Sequence, residues 1–323
     1  MTLFSRRTLL SGAAALAAVR PAAAQLSQRP VRIIVPFTAG GSSDILARII
    51  AELLRAVLNQ TIVAENRPGG NGAIGMLAVA MAEPDGHSIV AGHVGTHAIT
   101  PAVTPPNGYD AAKSFTTVAV HATSSNLLVV PAESEVGGFQ ALLELAKKKP
   151  GALNYGSPGT GSPSHIATLQ LAAMTGIDVV HVPYRGNSAA VTDLLGGRLQ
   201  FMFASPAEIL EHVRAGKLKA LAASGSTRSA ATPDIAPIAE LGIPGFNFRT
   251  WHVMSVRSDT PADVLAKIRV AMTQVMKSDA YRQRLAGLSL DPGIDDGVEA
   301  DRFVQKEIAY WTTFVKDAGI RAE

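Results

Sequence analysis

The chain has no cysteine, few aromatic residues and few charges, and each shortage removes a class of function. Without cysteine in 323 residues, disulfide scaffolds, thiol nucleophiles, thiolate zinc sites and iron–sulfur clusters are excluded. Aromatic residues make up 5% and no basic patch interleaves with them, so no nucleic-acid partner is expected. Past the N-terminus, no segment reaches the roughly 18 consecutive apolar residues that a membrane span needs. Charged residues are only 17% against 47% apolar, the balance of a folded globular chain and the opposite of a disordered one. The 29 glycines and 19 prolines follow no period, which excludes a collagen-like chain. The length exceeds what one hydrophobic core organises, so about two domains are expected.

The formal net charge of +3 belongs to the first residues. Arg6 and Arg7 precede an apolar stretch over residues 9–19, and Ala22-Ala23-Ala24 forms a small-residue cleavage signal. Residues 1–25 therefore read as a secretory signal peptide cleaved near Ala24, too short to span a bilayer, and the mature chain as exported to the periplasm. Removing Arg6, Arg7 and Arg20 takes the 29 basic residues to 26, equal to the 26 acidic ones. Ser5-Arg6-Arg7-Thr8-Leu9-Leu10 resembles a twin-arginine export motif; an ordinary export signal with paired arginines fits the same residues.

From Arg29 onward, short β-branched runs alternate with helical patterns, which predicts an α/β fold with parallel strands. Strands are expected near residues 31–35, 61–64, 88–92, 127–130, 153–155, 179–182 and 201–204. Helices are expected from about residue 44, over 76–81 and 139–148, from 164, and near 188–195. The helix from Asp44 places Ile45, Leu46, Ile49, Ile50, Leu53 and Leu54 on one face, the spacing of a helix packed on a sheet. Thr260-Pro261-Ala262-Asp263 reads as an N-cap with proline in the first turn, opening a helical C-terminus that runs through Trp311 and Phe314. The pattern amounts to two α/β lobes.

The loop after the first strand carries the strongest local signal. Gly40-Gly41-Ser42-Ser43 allows close backbone approach just before a helix begins, where unpaired amides and a partial positive charge can hold an anion. The same residues also suit a plain helix cap. A second segment, Asn154-Tyr155-Gly156-Ser157-Pro158-Gly159-Thr160-Gly161-Ser162-Pro163-Ser164-His165, repeats the plan of strand, small-residue loop and helix. Two such loops, one per lobe, could grip one anionic ligand across a cleft. Neither ends in the Lys-Ser/Thr of a P-loop, so a carboxylate suits them better than a phosphate.

Other chemistries fit less well. Gly70-Asn71-Gly72-Ala73-Ile74-Gly75 satisfies G-x-G-x-x-G, but no acid lies between Asp85 and Asp110, where a dinucleotide site needs one. His87, His93 and His97 lie close together, yet the stretch from Gly92 to His97 is too glycine-rich for a helix presenting a histidine pair, and no H-E-x-x-H occurs. No metal and no cofactor are expected. An exported hydrolase using Ser162 or Ser164 with His165 would lack both the G-x-S-x-G elbow and an identifiable orienting acid, so no catalytic residue is assigned.

Longer motifs carry a family resemblance. Arg29-Pro30-Val31-Arg32-Ile33-Ile34-Val35-Pro36-Phe37, continuing through Gly40-Gly41-Ser42-Ser43-Asp44, resembles the start of mature Bug proteins. These are the extracytoplasmic solute receptors of tripartite tricarboxylate transporters. Glu65-Asn66-Arg67-Pro68-Gly69, Pro84-Asp85-Gly86, Asn154-Tyr155-Gly156-Ser157, His181-Val182-Pro183-Tyr184-Arg185-Gly186, Asp193-Leu194-Leu195-Gly196-Gly197 and Ala215-Gly216-Lys217-Leu218 keep the order and spacing. The resemblance covers essentially the whole mature chain.

It implies a type II periplasmic-binding-protein fold, α/β in class, with two lobes joined by crossover strands and a ligand cleft between them. One lobe would hold residues 26–124 with 248–323, the other residues 125–247. Carried over by position, Phe37, Gly40, Gly41, Ser42, Ser43 and Asp44 serve the ligand from the first loop. Ser157, Gly159, Thr160, Gly161, Ser162 and His165 serve it from the second, and Gly70, Thr96, Tyr184 and Arg185 from neighbouring loops, partly through ordered waters. The implied partners are a small organic acid (a di- or tricarboxylate or an aromatic carboxylate) and the membrane subunits of a tripartite tricarboxylate transporter, with the receptor a monomer. A sensory receptor of the same fold, signalling to a membrane kinase, is the alternative. The chain departs from the family where Ala204 and Leu169 stand in place of common acids, and where Trp251 is followed by His252-Val253 with Val253 in place of a common glycine. A buried ammonium needs a partner, so these losses predict a ligand without a cationic amine.

Overall fold

The computed structural model describes residues 29–104, 108–229, 232–317 and 320. The export signal lies outside these residues. Strand β1 (Val31–Val35) is apolar at all but one position and buried on both faces, which suits a parallel strand between two others. It pairs in parallel with β2 (Ile62–Asn66) and β3 (Ser88–His93). Helix α1 (Ser42–Leu58) runs between β1 and β2, burying Leu46, Ile49, Ile50 and Leu54 along one stripe, and ends where Asn59 turns left-handed at φ 49°. A 3-10 turn at Gly70–Gly72 leads into α2 (Ala73–Ala80). After β3 the chain makes a π-helical turn at Gly95–Ile99 and the short α3 (Thr100–Val103).

The sequence reading expected no helix around His97, yet this segment is helical. Gly92 and Gly95 are needed there because the rings of His97 and His93 fold back over them and leave no room for a side chain. The sheet is completed by two long strands that the hydrophobic pattern did not mark: β4 (Phe115–Ser125) and β10 (Arg249–Arg257). They pair antiparallel with each other, while β10 also pairs with β3 and β4 with β11 (Asp291–Ile294). The six strands stand in the order β11-β4-β10-β3-β1-β2. Helices α8 (Ala262–Lys277), α9 (Asp279–Gly287) and α10 (Gly297–Asp317) form the helical C-terminus. Pro261 takes the N-cap position of α8, not Thr260, whose hydroxyl donates back to the Arg257 carbonyl at 2.7 Å.

The second lobe is built from the middle of the chain. Strands β8 (Met202–Ala204), β5 (Leu127–Pro131) and β9 (Leu218–Ala223) are antiparallel, and β6 (Asn154–Ser157) is parallel to β7 (Val180–Pro183). A bridge between Tyr155 and Phe201 joins the two groups. Helices α4 (Phe139–Lys148), α5 (Pro163–Thr175), α6 (Asn187–Leu195) and α7 (Pro206–Arg214) pack around these strands.

The lobes are joined where β4 runs into β5 through Asn126 and where the chain returns from β9 to β10. The two passages are tied together by hydrogen bonds. Ser224 Oγ accepts the Asn126 N–H at 2.9 Å and donates to the Phe248 carbonyl at 2.7 Å, while the Ser224 N–H donates to the Asn126 carbonyl at 2.8 Å. The Gly225 N–H donates to Ser125 Oγ at 2.6 Å. Ser224 is fully buried. Ser224→Ala leaves one N–H and one carbonyl without a partner in the interior, so a loss of about 1–3 kcal/mol is expected in denaturant unfolding. A loss below the error of that measurement would show that the knot is not structural.

Candidate functional site

The two small-residue loops face each other across the interlobe cleft. In the first, β1 ends in Pro36-Phe37 and the chain turns through Gly40, at φ 86°, into α1. Gly41 occupies the N-cap position and supplies no side chain, so the first amides of α1 are left to partners from elsewhere. Asp44 does not line the cavity; it holds the loop in shape. Its carboxylate accepts the Gly40 N–H at 3.0 Å and the Asn66 side-chain N–H at 2.9 Å, and pairs with Arg48 at 2.9 Å. Burial pushes the Asp44 carboxyl up, but Arg48, Gly40 and Asn66 together hold it below the usual aspartate value.

In the second loop, Ser162 caps α5, its Oγ accepting the His165 N–H at 3.4 Å, with Pro163 in the first turn. His165 Nδ1 accepts the Gly161 N–H at 3.0 Å, and the His165 ring stacks on His181 at 4.2 Å. Burial and the His181 ring lower the His165 pKa to about 3. Ser157 Oγ lies 2.6 Å from His181 Nε2 and accepts the Gly159 N–H at 3.1 Å.

Two adjoining cavities result. The inner one is small, about 40 Å³, room for about three water-sized groups. Phe37, Gly41, Ser42 and Ser43 line it from the first loop, and Pro158, Pro163 and Ser164 from the second. The outer one, about 600 Å³, shares Phe37, Thr38 and Pro158 with it and adds Gly70, Gly159, Thr160, Tyr184 and Arg185. The Arg185 side chain is exposed at this wider cavity.

Of the expected site residues, Phe37, Gly41, Ser42 and Ser43 meet at the inner cavity, and Gly70, Gly159, Thr160, Tyr184 and Arg185 at the outer one. Gly40 lines a neighbouring pocket beside Glu208 and His212. The others stand behind the walls. Besides Asp44, these are Thr96, bonded to the His93 backbone, and Ser157, Gly161, Ser162 and His165, which bond within the second loop and its surroundings. Their polar atoms are spent on fixing loop shape.

The structure adds residues that the sequence reading missed: Thr38, His93, Asn126, Asn187, Ser205, Glu208 and Thr250. His93 stacks on Phe37 at 4.6 Å with its Nδ1 accepting the Gly95 N–H, and burial lowers its pKa to about 4. Thr250 Oγ1 lies 3.2 Å from Asn126 Oδ1, so the crossover knot reaches the cavity wall. Glu208, in the first turn of α7, reaches across the cleft: its Oε1 accepts the Ser42 N–H at 2.8 Å and its Oε2 an Asn187 N–H at 2.7 Å. Burial raises its pKa, against the hydrogen bonds that lower it.

Residues 46–320 match the family model described as the tripartite tricarboxylate transporter family receptor. The chain belongs to this family. Three solved structures resemble it over most of their length. Rpa4515 from R. palustris, solved with adipate, is 32% identical at a TM-score of 0.88, covering 91% of this chain and 99% of that one. The periplasmic binding protein BugD is 28% identical at a TM-score of 0.86, with the same coverage. MatC from Rhodopseudomonas palustris, with bound malate, is 30% identical at 0.83, covering 89% and 99%.

Ala204 and Leu169, which stand where the family often has acids, do not face the cleft. Ala204 is fully buried in the second lobe's apolar core beside Leu127 and Leu194, and Leu169 packs on the core formed around Tyr155 and Phe201. Neither lines the cleft cavities, whereas the unexpected Glu208 does. Among the described residues, no group of three His, Asp or Glu side chains could hold a metal ion, and no helix is long and apolar enough to cross a membrane.

Proposed function

We propose that this chain is a periplasmic solute receptor that captures a small organic carboxylate between its lobes and delivers it to the membrane subunits of a tripartite tricarboxylate transporter. The observation that carries this reading is the convergence of the starts of α1 and α5, one from each lobe, on one small cavity that opens into a larger one. Helix-start amides and serine hydroxyls favour a carboxylate there without a cationic side chain. The adipate and malate in the two related structures belong to the same chemical class.

In this reading residues 1–25 are the export signal. The lobes comprise residues 26–124 with 248–323, and 125–247, and they close about the Asn126–Ser224 knot. Phe37, Gly41, Ser42 and Ser43 meet the buried carboxylate; Gly70, Gly159, Thr160, Tyr184 and Arg185 surround the rest of the ligand. The inner cavity has the size of one carboxylate group, so the body of a longer acid extends toward Arg185. Ligand binding favours the closed arrangement through contacts made only when both loops are engaged.

The test is a thermal-shift screen of residues 25–323 against di-, tri- and aromatic carboxylates. Mass spectrometry of the denatured protein first checks that the cleft is empty. A ligand at 100 times its Kd adds about 2.7 kcal/mol, a shift of a few degrees for a chain of this size. The expected result is a concentration-dependent shift with at least one acid, lost on Ser43→Ala. A flat response from verified ligand-free protein would overturn the carboxylate reading.

A further inference from the structure

Helix α1 has no side-chain cap of its own. Gly41 holds the N-cap position without a side chain, so the opening N–H groups of the helix need an acceptor from elsewhere. The second lobe supplies one. Glu208 Oε1 accepts the Ser42 N–H at 2.8 Å, and the Ser42 hydroxyl donates to the same carboxylate. An anion at this end of a helix is favoured by the helix dipole as well.

The carboxylate is anchored from the other side within its own lobe. Asn187 donates an amide N–H to Oε2 at 2.7 Å, and the Ser205 N–H also donates to the carboxylate. Ser205-Pro206-Ala207-Glu208 has the spacing of a capping box, in which a glutamate turns back onto the start of its own helix. Here only the Ser205 bond serves that purpose. A carboxylate has about four acceptor positions, and Glu208 fills them with two donors from each lobe. No cation pairs with Glu208 among the described residues, so its charge is stabilised by these donors.

Parting the lobes would break one half of this arrangement and keep the other. Asn187 and Ser205 move with Glu208, whereas Ser42 leaves with α1. The carboxylate then exchanges two charge-assisted hydrogen bonds for water, and α1 loses its cap. A second link between the lobes, from the Asn71 side chain to the Thr160 carbonyl, is neutral and therefore weaker.

We propose that Glu208 is an interlobe latch, whose carboxylate holds the start of α1 against the second lobe before any ligand enters. The chain then carries an internal carboxylate on the same helix start that the receptor reading assigns to the ligand. A ligand adds to a closure that is already favoured, and the open arrangement is the minor one. The latch rests on the receptor reading only for the hinge motion.

Because the chain has no cysteine, a label can be placed on each lobe without removing any residue of the site. Ile74→Cys in α2 and Ala189→Cys in α6 are exposed positions just past Gly72 and Arg185 of the outer cavity. Spin labels there report the distance across the cleft by pulsed electron resonance in ligand-free mature protein. Short distances are expected to predominate while Glu208 is present. Glu208→Ala is expected to move the ratio of short to long distances about ten-fold toward long, the effect of losing one hydrogen bond to a charged group. Glu208→Gln keeps an acceptor for the Ser42 N–H without the charge, and a smaller shift in the same direction is expected. Circular dichroism checks that both variants are folded, and Glu208→Gln carries the test if the alanine variant is not. Unchanged distances in the folded variants, or long distances already predominant with Glu208 in place, would overturn the latch. Adding the carboxylates of the screen separates the two readings. If the protein with Glu208 is open alone and an acid closes it, the latch is wrong and the receptor stands. If no acid changes the distances in any variant, the receptor reading falls, and the ligand-free distances still decide the latch.

Discussion

Between pH 7 and pH 5 the protein is expected to lose several kcal/mol of stability, a large share of the whole stability of a typical domain. The cause is five buried histidines. His93, His97, His121, His165 and His252 are each no more than 8% exposed. Burial lowers the pKa of His93 to about 4, of His97, His121 and His165 to about 3, and of His252 well below 6.5. The unfolded chain therefore binds more protons than the folded one below pH 6.5, so stability is present in full above that value and is lost as pH falls toward the folded pKa values. At pH 5, a ring that titrates at 6.5 only when unfolded costs about 2 kcal/mol.

The hydrogen bonds explain why the rings cannot simply accept the proton in place. Nδ1 of His93 and Nδ1 of His165 each accept a backbone N–H, and a protonated nitrogen would point a hydrogen at that donor. His252 sits about 6 Å from the rings of both His93 and His121, so charges there would repel one another. Asp44 and Asp85 add nothing in this window, because carboxyls held below 3.8 lose their contribution only in stronger acid. Calorimetric melts from pH 7.5 to 4.5 should show Tm falling steadily, most steeply below pH 6.5. The proton uptake on unfolding should drop by about one in His252→Phe, which removes one of the titrating groups. A Tm that holds steady from pH 7 to pH 5 would mean that these rings are not kept neutral by burial.

Those histidines also mark where the sequence was hard to read. Strands β1, β3 and β5 are short apolar runs rich in β-branched residues and stand out, although β5 pairs antiparallel rather than parallel as expected. β4 reads Phe-Thr-Thr-Val-Ala-Val-His-Ala-Thr-Ser-Ser, with polar residues that are nonetheless buried because both faces of the strand are covered. A hydrophobic pattern cannot mark a strand in which Thr117, His121, Ser124 and Ser125 are buried. The two loops were legible because glycine and serine before a helix have a local cause in backbone geometry and amide exposure. Glu208 was not. Its spacing to Ser205 signals a helix start, and only the meeting of α7 with α1 across the cleft turns a cap residue into a cavity wall. Long-range register, not local propensity, decides that.

Glycine lines the contact between the two lobes, and adding one methyl group there is expected to weaken ligand binding by about 5- to 150-fold. Gly186 in the second lobe faces Thr38 in the first, and a Cβ on Gly186 would overlap Thr38 Oγ1. Gly159 likewise faces Asn71, whose side-chain N–H donates to the Thr160 carbonyl. Overpacking of this kind costs about 1–3 kcal/mol, and under the proposed closure it falls on the arrangement that brings the two loops together, so it enters the apparent Kd directly. Gly186→Ala carries a second cost, because φ of 145° is unfavourable for alanine in any arrangement of the lobes. Truncating the facing residue separates the two effects. Thr38→Ala removes the overlapping oxygen and leaves the backbone strain, so the double variant should recover most of the affinity while keeping the lowered ligand-free Tm of Gly186→Ala. Failure of Thr38→Ala to restore binding would place the loss in local strain and remove the contact between Gly186 and Thr38 from the closure of the cleft.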